Sequence, residues 1–157
     1  MLFVSGSLNK NRICSDMFDK TTDVEKRLKE FRTIRRESKT EADVLEYFAE
    51  IKIHNRYLDY WTPKDWMAPF DIIENGYFCT TGVSILLYNV LSNLKFIDPS
   101  KTEWKVISNH VTGKDGAIFI SDGYAYNLSP GHKILFADNE DKYIVLQDLK
   151  NIEVPII

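Results

Sequence analysis

The segment from Cys79 to Leu94 constrains the fold of this chain most, because its apolar residues cover more than one side of a helix. Ile85 and Tyr88 widen an apolar set that recurs at helical spacing and comprises Val83, Leu86, Leu87, Val90, Leu91 and Leu94. A helix that is apolar nearly all round is typical of a domain core. The Asn75-Gly76 pair ahead of it is a turn signal. We therefore expect a central, buried helix that begins at Cys79.

Three further helix starts precede this central helix. Thr22-Asp23-Val24-Glu25 has the pattern of a capping box, and Thr40-Glu41-Ala42-Asp43 predicts a second helix start. Apolar residues at helical spacing follow each of them. Thr62-Pro63-Lys64-Asp65 predicts a short third helix with a threonine cap and a proline in its first turn. We expect Pro69 to end that helix, because proline disrupts a helix interior.

The second half of the chain, after about residue 100, has the character of β-structure. Short β-prone runs predict strands at Trp104–Ser108, Ala117–Ser121, Tyr124–Leu128, Ile134–Ala137 and Tyr143–Gln147. The predicted hairpin turns span residues 112–116 and 138–142. Helices followed by a meander of strands predict an α+β fold, in which the N-terminal helices and the central helix pack on a mostly antiparallel sheet.

Length and composition limit the classes of protein to be considered. With 157 residues we expect a single domain over 1–157, with a helical part over 1–56 and a core over 57–157. The net charge of -3 gives no attraction to nucleic acid. The chain start lacks a signal-peptide pattern, and no apolar run could span a bilayer. We therefore expect a cytoplasmic protein without a nucleic-acid or membrane partner, and its oligomeric state stays open.

The two cysteines, Cys14 and Cys79, are too few and too widely spaced for a disulfide framework or a zinc pattern. Cys79 differs from Cys14 because it stands where the central helix starts. The free N–H groups of a helix N-terminus favour negative charge and can bind a developing oxyanion. A nucleophilic cysteine also needs a base and a group that orients the base.

His132 is the better candidate base, because it opens a predicted strand. Asp148 closes the next predicted strand, and in an antiparallel hairpin the start of one strand faces the end of the other. The carboxylate would then hold the imidazole in its working tautomer. His110, with Asn127 as its partner, is the alternative, but it leads directly into the turn at 112–116. Three scattered histidines, of which His54 is the third, make no metal site.

Each candidate also has a structural interpretation, and these alternatives stay open. A free cysteine such as Cys79 is often simply buried, and His132 and Asp148 could flank a surface turn. The basic residues of the first helix predict either a patch for an acidic partner or phosphate, or a solvated face with interspersed acids. The aromatic residues Tyr57, Tyr60, Trp61, Trp66 and Tyr77 could line a substrate groove, although such a cluster more often belongs to the core.

Two motifs resemble the transglutaminase-like and papain-like cysteine enzymes over about residues 57–149. Tyr60-Trp61-Thr62-Pro63-Lys64-Asp65 resembles a Trp-x-x-Pro segment of the bacterial peptidases, and Gly76-Tyr77-Phe78-Cys79 resembles the turn before the nucleophile helix. This turn is also similar to the Gly-Gly-Tyr-Cys turn of arylamine N-acetyltransferases. The family order is cysteine, histidine on a strand, and aspartate or asparagine on the next strand. Cys79, His132 and Asp148 keep that order.

The chain also departs from the family pattern in three places. Its turn is Gly-x-x-Cys rather than Gly-x-Cys, and the interval from Cys79 to His132 is longer than usual. At the usual spacing the chain has Gly116-Ala117-Ile118-Phe119, which contains no histidine. Tyr126-Asn127-Leu128-Ser129-Pro130 resembles the Leu-Asp-Pro strand end of the family, with Ser129 in place of the acid. This second alignment implies a domain that has the fold without the triad.

Two hypotheses of different classes follow. In the first, the protein is a thiol-dependent amide or acyl hydrolase or transferase that acts on a protein or peptide through a covalent thioester. Cys79 would be the nucleophile, His132 the base and Asp148 the orienting group, and no cofactor would be needed. In the second, the protein is a non-catalytic relative that serves as a protein-binding, inhibitor or immunity-type module.

Overall fold

The computed structural model of the protein describes residues 16–19, 21–49, 58–129, 131–150 and 152–155. The predictions that concern Cys14, His54 and Tyr57, and the proposed division at residue 56, lie outside the described residues. The helices of the described part are α1 (Val24–Glu37), α2 (Glu41–Phe48), α3 (Pro69–Asn75) and α4 (Thr80–Asn93). Its strands are β1 (Thr102–Asn109), β2 (Lys114–Ser121), β3 (Tyr124–Ser129), β4 (His132–Leu135) and β5 (Tyr143–Leu149).

The N-terminal helices begin close to the predicted positions. At α2 the predicted capping box is present: the Asp43 N–H donates to the Thr40 hydroxyl at 3.1 Å, and the Thr40 N–H donates to the Asp43 carboxylate at 3.3 Å. At α1 the helix is confirmed but the box is not, because Asp23 is the N-cap and makes no side-chain cap hydrogen bond. Arg27 of α1 is buried and donates to the Ile73 carbonyl at 2.6 Å, which joins α1 to α3.

The prediction for Pro69 is wrong. Residues Pro63–Asp65 form a short 3-10 turn, and Pro69 begins α3 instead of ending a helix. Proline suits a first helical position because its missing N–H has no partner there in any case. The helix then ends at Gly76, whose φ of 72° is the left-handed conformation that glycine adopts without strain.

The central helix α4 is confirmed. Leu86 and Leu87, the residues whose exposure would contradict the prediction, are 0% and 2% exposed. α4 packs on β2 and β3 on one side, while α1, α2 and α3 contact it elsewhere. The α+β architecture is therefore a five-stranded sheet covered on one face by helices around α4.

The sheet is antiparallel throughout, with the order β4-β3-β2-β1-β5. The predicted hairpin between β4 and β5 is wrong, because β5 pairs with β1 at the opposite edge. The connection, Ala137–Lys142, is a 3-10 segment whose flanking rings, Phe136 and Tyr143, stack with centroids 4.3 Å apart. Both rings pack with a small apolar cluster on the face away from α4, so the chain crosses that face.

The edge strand β5 exposes apolar side chains, namely Ile144, Val145 and Leu146. Its outer main-chain groups have no strand beside them within the described sheet. In the described part of the chain, no helix has the length and apolar character that crossing a bilayer requires.

Candidate functional site

Cys79 is the N-cap residue of α4, as the turn signal predicted. Its sulfur accepts hydrogen bonds from the backbone N–H of Gly82 at 3.4 Å and of Leu58 at 3.3 Å. The residue is 3% exposed and belongs to the main core cluster. The sulfur therefore caps the helix and holds the segment at Leu58 against it, which is a structural role.

The start of β2 lies directly against the first turn of α4. The Ala117 N–H donates to the Thr81 hydroxyl at 3.0 Å. A Cβ placed on Gly116 would lie 2.7 Å from the Cβ of Thr80 and 2.9 Å from its Cγ2. Since carbon atoms in contact are about 3.5–4.0 Å apart, a side chain at position 116 has no space.

Asn127 of β3 approaches the same turn of α4. Its amide donates to the Thr80 carbonyl at 3.0 Å and to the Ser84 hydroxyl at 2.8 Å. Asn127 has a φ of 68°, a left-handed conformation that asparagine tolerates better than most residues. The side chain that was the alternative orienting group thus serves to anchor α4 to the sheet.

His132 and Asp148 lie at opposite edges of the sheet, on β4 and β5. Both side chains are exposed. Asp148 pairs with Lys105 of β1, and this hydrogen bond, together with the lysine charge, lowers the pKa of the carboxyl group. The predicted proximity of histidine and aspartate depended on the β4–β5 hairpin, so it fails with that hairpin.

His110 is exposed at the end of β1, where its Nδ1 lies 3.2 Å from the Asp141 carbonyl oxygen. Its neighbour Asn109 is buried and donates to the Leu128 carbonyl at 3.0 Å. Within the described ranges, the hydrogen bonds of Cys79 thus involve no imidazole.

The aromatic residues proposed for a substrate groove lie in different surroundings. Trp61 is 48% exposed and lines an open groove of about 570 Å³ with Thr62, Pro63, Lys64, Ile152 and Glu153. Trp66 is instead buried against Trp104, with ring centroids 5.2 Å apart, and its Nε1–H donates to the Asp59 carbonyl. Tyr77 packs partly buried on the main core.

The sequence interpretation missed the polar residues of the first turns of α4. Thr80, Thr81 and Ser84 are all buried. A signal for them was available, because a hydroxyl in a helix that is buried all round must find a hydrogen-bond partner. Those partners come from β2 and β3, at Ala117 and Asn127.

The fold has known structural neighbours. Legionella pneumophila LapG in its calcium-bound form superimposes with a TM-score of 0.61 at 11% identity, over 82% of this chain and 77% of that one. The EGTA-treated form of the same protein gives 0.58 at 10% identity, over 81% and 74% of the two chains. No family model and no curated protein matches the sequence. LapG has a transglutaminase-like fold, and the α+β architecture seen here is of that type.

Proposed function

We propose that the protein is a non-catalytic module of transglutaminase-like fold that binds a protein partner. The proposal rests on the contact of Gly116 with Thr80. The Cβ of Thr80 leaves no space for a side chain at position 116. In the alignment without a triad, Gly116-Ala117-Ile118-Phe119 stands at the usual spacing of the family histidine. A histidine at position 116 of that segment would need Thr80 of α4 to move.

The candidate bases elsewhere in the chain support the same proposal. A nucleophile and its base must come within hydrogen-bond reach, about 2.6–3.2 Å. His132 is exposed on the edge strand β4, and His110 is exposed and contacts the Asp141 carbonyl. Asp148 is exposed on the other edge strand and already paired with Lys105. A catalytic triad of Cys79, His132 and Asp148 would need a different strand order.

The thiol-enzyme hypothesis remains the second candidate, because one observation favours it. The Cys79 sulfur at the start of α4 accepts two backbone N–H groups, and such groups can stabilise an oxyanion. The likeness to LapG, a protein with the fold of transglutaminase-like cysteine proteases, supports the same class. On this hypothesis the substrate would be a protein or peptide amide.

Thiol labelling separates the two candidates. In a Cys14→Ser background, we expect iodoacetamide to label Cys79 slowly in the folded protein and rapidly in urea, because the native side chain is 3% exposed. His132→Ala and Asp148→Asn should leave the native rate unchanged, and so should His110→Ala, which removes the alternative base. Rapid native labelling that is lost in His132→Ala and Asp148→Asn would overturn the non-catalytic proposal.

A further inference from the structure

We infer that Arg32, Arg35 and Arg36 of α1, here called the arginine patch, dock an acidic segment of a partner protein through its carboxylates. The inference rests on the proposed function, since it names the partner surface of a binding module. Of the two interpretations of the basic first helix, it favours the patch for an acidic partner over the solvated face. The reasons are side-chain contacts seen in the structure.

Two guanidinium groups of the patch are held in place by aromatic rings. The Cζ atoms of Arg32 and Arg35 lie 5.5 Å and 5.4 Å from the ring centroid of Phe70 in α3. Arg35 also lies 5.8 Å from the centroid of Phe31. Stacking on the rings restricts the rotamers of the two arginines before a ligand binds. The entropy cost of ordering these side chains on binding is therefore smaller.

The hydrogen-bonding capacity of the Arg35 guanidinium is used only in part within the described residues. Its Nη1 lies 3.4 Å from the Asn89 Oδ1, and its Nε is buried without an acceptor in the described part of the chain. Arg27, on the same helix, differs because its Nε and Nη1 donate to the carbonyls of Thr22 and Ile73. Two backbone carbonyls thus accept from the Arg27 side chain, while the Arg35 side chain makes one hydrogen bond among the described residues, to Asn89.

Within the described ranges, no ion pair joins Arg32, Arg35 or Arg36 to a carboxylate. Burial, with the charges of Arg32 and Arg36, lowers the pKa of Arg35. Of the acids on α1, Glu30 is hydrogen-bonded to the Tyr47 hydroxyl. Glu37 is exposed beside Arg36, so this end of the helix carries one exposed acid next to three arginines and keeps an excess of positive charge.

Carboxylates match the chemistry of the patch. The planar guanidinium fork binds a carboxylate with two parallel hydrogen bonds, which a lysine cannot do. The patch is small and the whole chain carries a net charge of -3, so a long polyanion such as a nucleic acid would meet repulsion outside it. A short run of Glu or Asp needs only these few cations.

Fluorescence anisotropy with a fluorescein-labelled hexaglutamate peptide tests the inference, with a hexaglutamine peptide as the uncharged control. We expect Arg32→Gln to weaken hexaglutamate binding by about tenfold, as loss of one charged hydrogen bond predicts. Arg35→Lys keeps the charge but removes the fork, and should weaken binding in the same direction. Lys114→Gln is the matched control, since it removes one exposed charge at the start of β2. Urea unfolding of each variant verifies that it folds.

Three results would overturn the inference: no binding of hexaglutamate, equal losses in Arg32→Gln and Lys114→Gln, or tighter binding of single-stranded DNA than of hexaglutamate. None of them would alter the iodoacetamide labelling of Cys79. Conversely, rapid histidine-dependent labelling would refute the non-catalytic proposal without changing anisotropy. The two failures are therefore distinguishable.

Discussion

Replacing Gly116 by alanine tests whether the start of β2 is closed against α4. Where the backbone suits both residues, this change stabilises a protein by about 0.4–1 kcal/mol, since alanine loses less entropy on folding. Gly116 is not one of the glycines with positive φ, so the gain applies here. The added Cβ, however, would lie 2.7 Å from the Cβ of Thr80. Overpacking costs about 1–3 kcal/mol.

The steric effect is the larger of the two, so we expect Gly116→Ala to lower the free energy of unfolding by about 1–2 kcal/mol. Thr80 cannot easily move aside, because its carbonyl accepts a hydrogen bond from Asn127 and its backbone belongs to α4. Urea unfolding followed by tryptophan fluorescence measures the loss at constant m-value.

A double-mutant cycle identifies the atoms responsible. Thr80→Gly removes both carbons that Gly116→Ala would contact, so in its presence the cost of the alanine should fall by about 0.5–3 kcal/mol. Additive effects, or a Gly116→Ala variant more stable than the parent protein, would refute the reasoning. The start of β2 would then not be closed against α4, and the non-catalytic proposal would lose the observation on which it rests.

Three further predictions concern the same molecule. Cys79→Ala should destabilise the fold by about 1 kcal/mol more than Cys79→Ser in urea unfolding, because serine keeps an N-cap acceptor and alanine does not. Asn127→Ala should lower the thermal midpoint more than Asn127→Gly, since both lose the hydrogen bonds to α4 but only alanine is strained at a φ of 68°. Burial raises the pKa of Tyr126 above the value of about 10 for an unfolded tyrosine. The folded protein is therefore stabilised below about pH 10 and loses stability as the pH rises beyond it. Between pH 8 and 11, the urea midpoint of Tyr126→Phe should fall less than that of the parent protein.

The central helix could be predicted from the sequence because its signal is local. Apolar residues on all sides of α4 can be satisfied only by burial, whatever elements surround it. The α2 cap at Thr40 and Asp43 is local in the same way. The Pro69 prediction failed because a proline marks a helix boundary without stating whether the helix ends or begins there.

The strand order could not be predicted, because the alternation of apolar and polar residues along a strand does not specify which strand it pairs with. We predicted that β5 pairs with β4, because the two strands are close in sequence. Tyr143 instead packs on the cluster of Ile107 and Ile118, and β5 pairs with β1. The expected proximity of His132 and Asp148 failed for the same reason. Cys79 was placed correctly, whereas its surroundings depend on the approach of Gly116 and Asn127, which no local pattern encodes.

The return of β5 to β1 also determines the order in which the sheet can be completed. Strands β1, β2 and β3 each pair with the next strand along the chain, and such local pairings close quickly. The outer edge of β1 must wait for the last strand of the sheet, although its own residues leave the ribosome much earlier. Until β5 arrives, Val106 and Ile107 stand beside an unpaired main-chain edge, which is the kind of edge that recruits strands from other chains. For a nascent chain, the interval between synthesis of β1 and of β5 is therefore the period of greatest risk of aggregation.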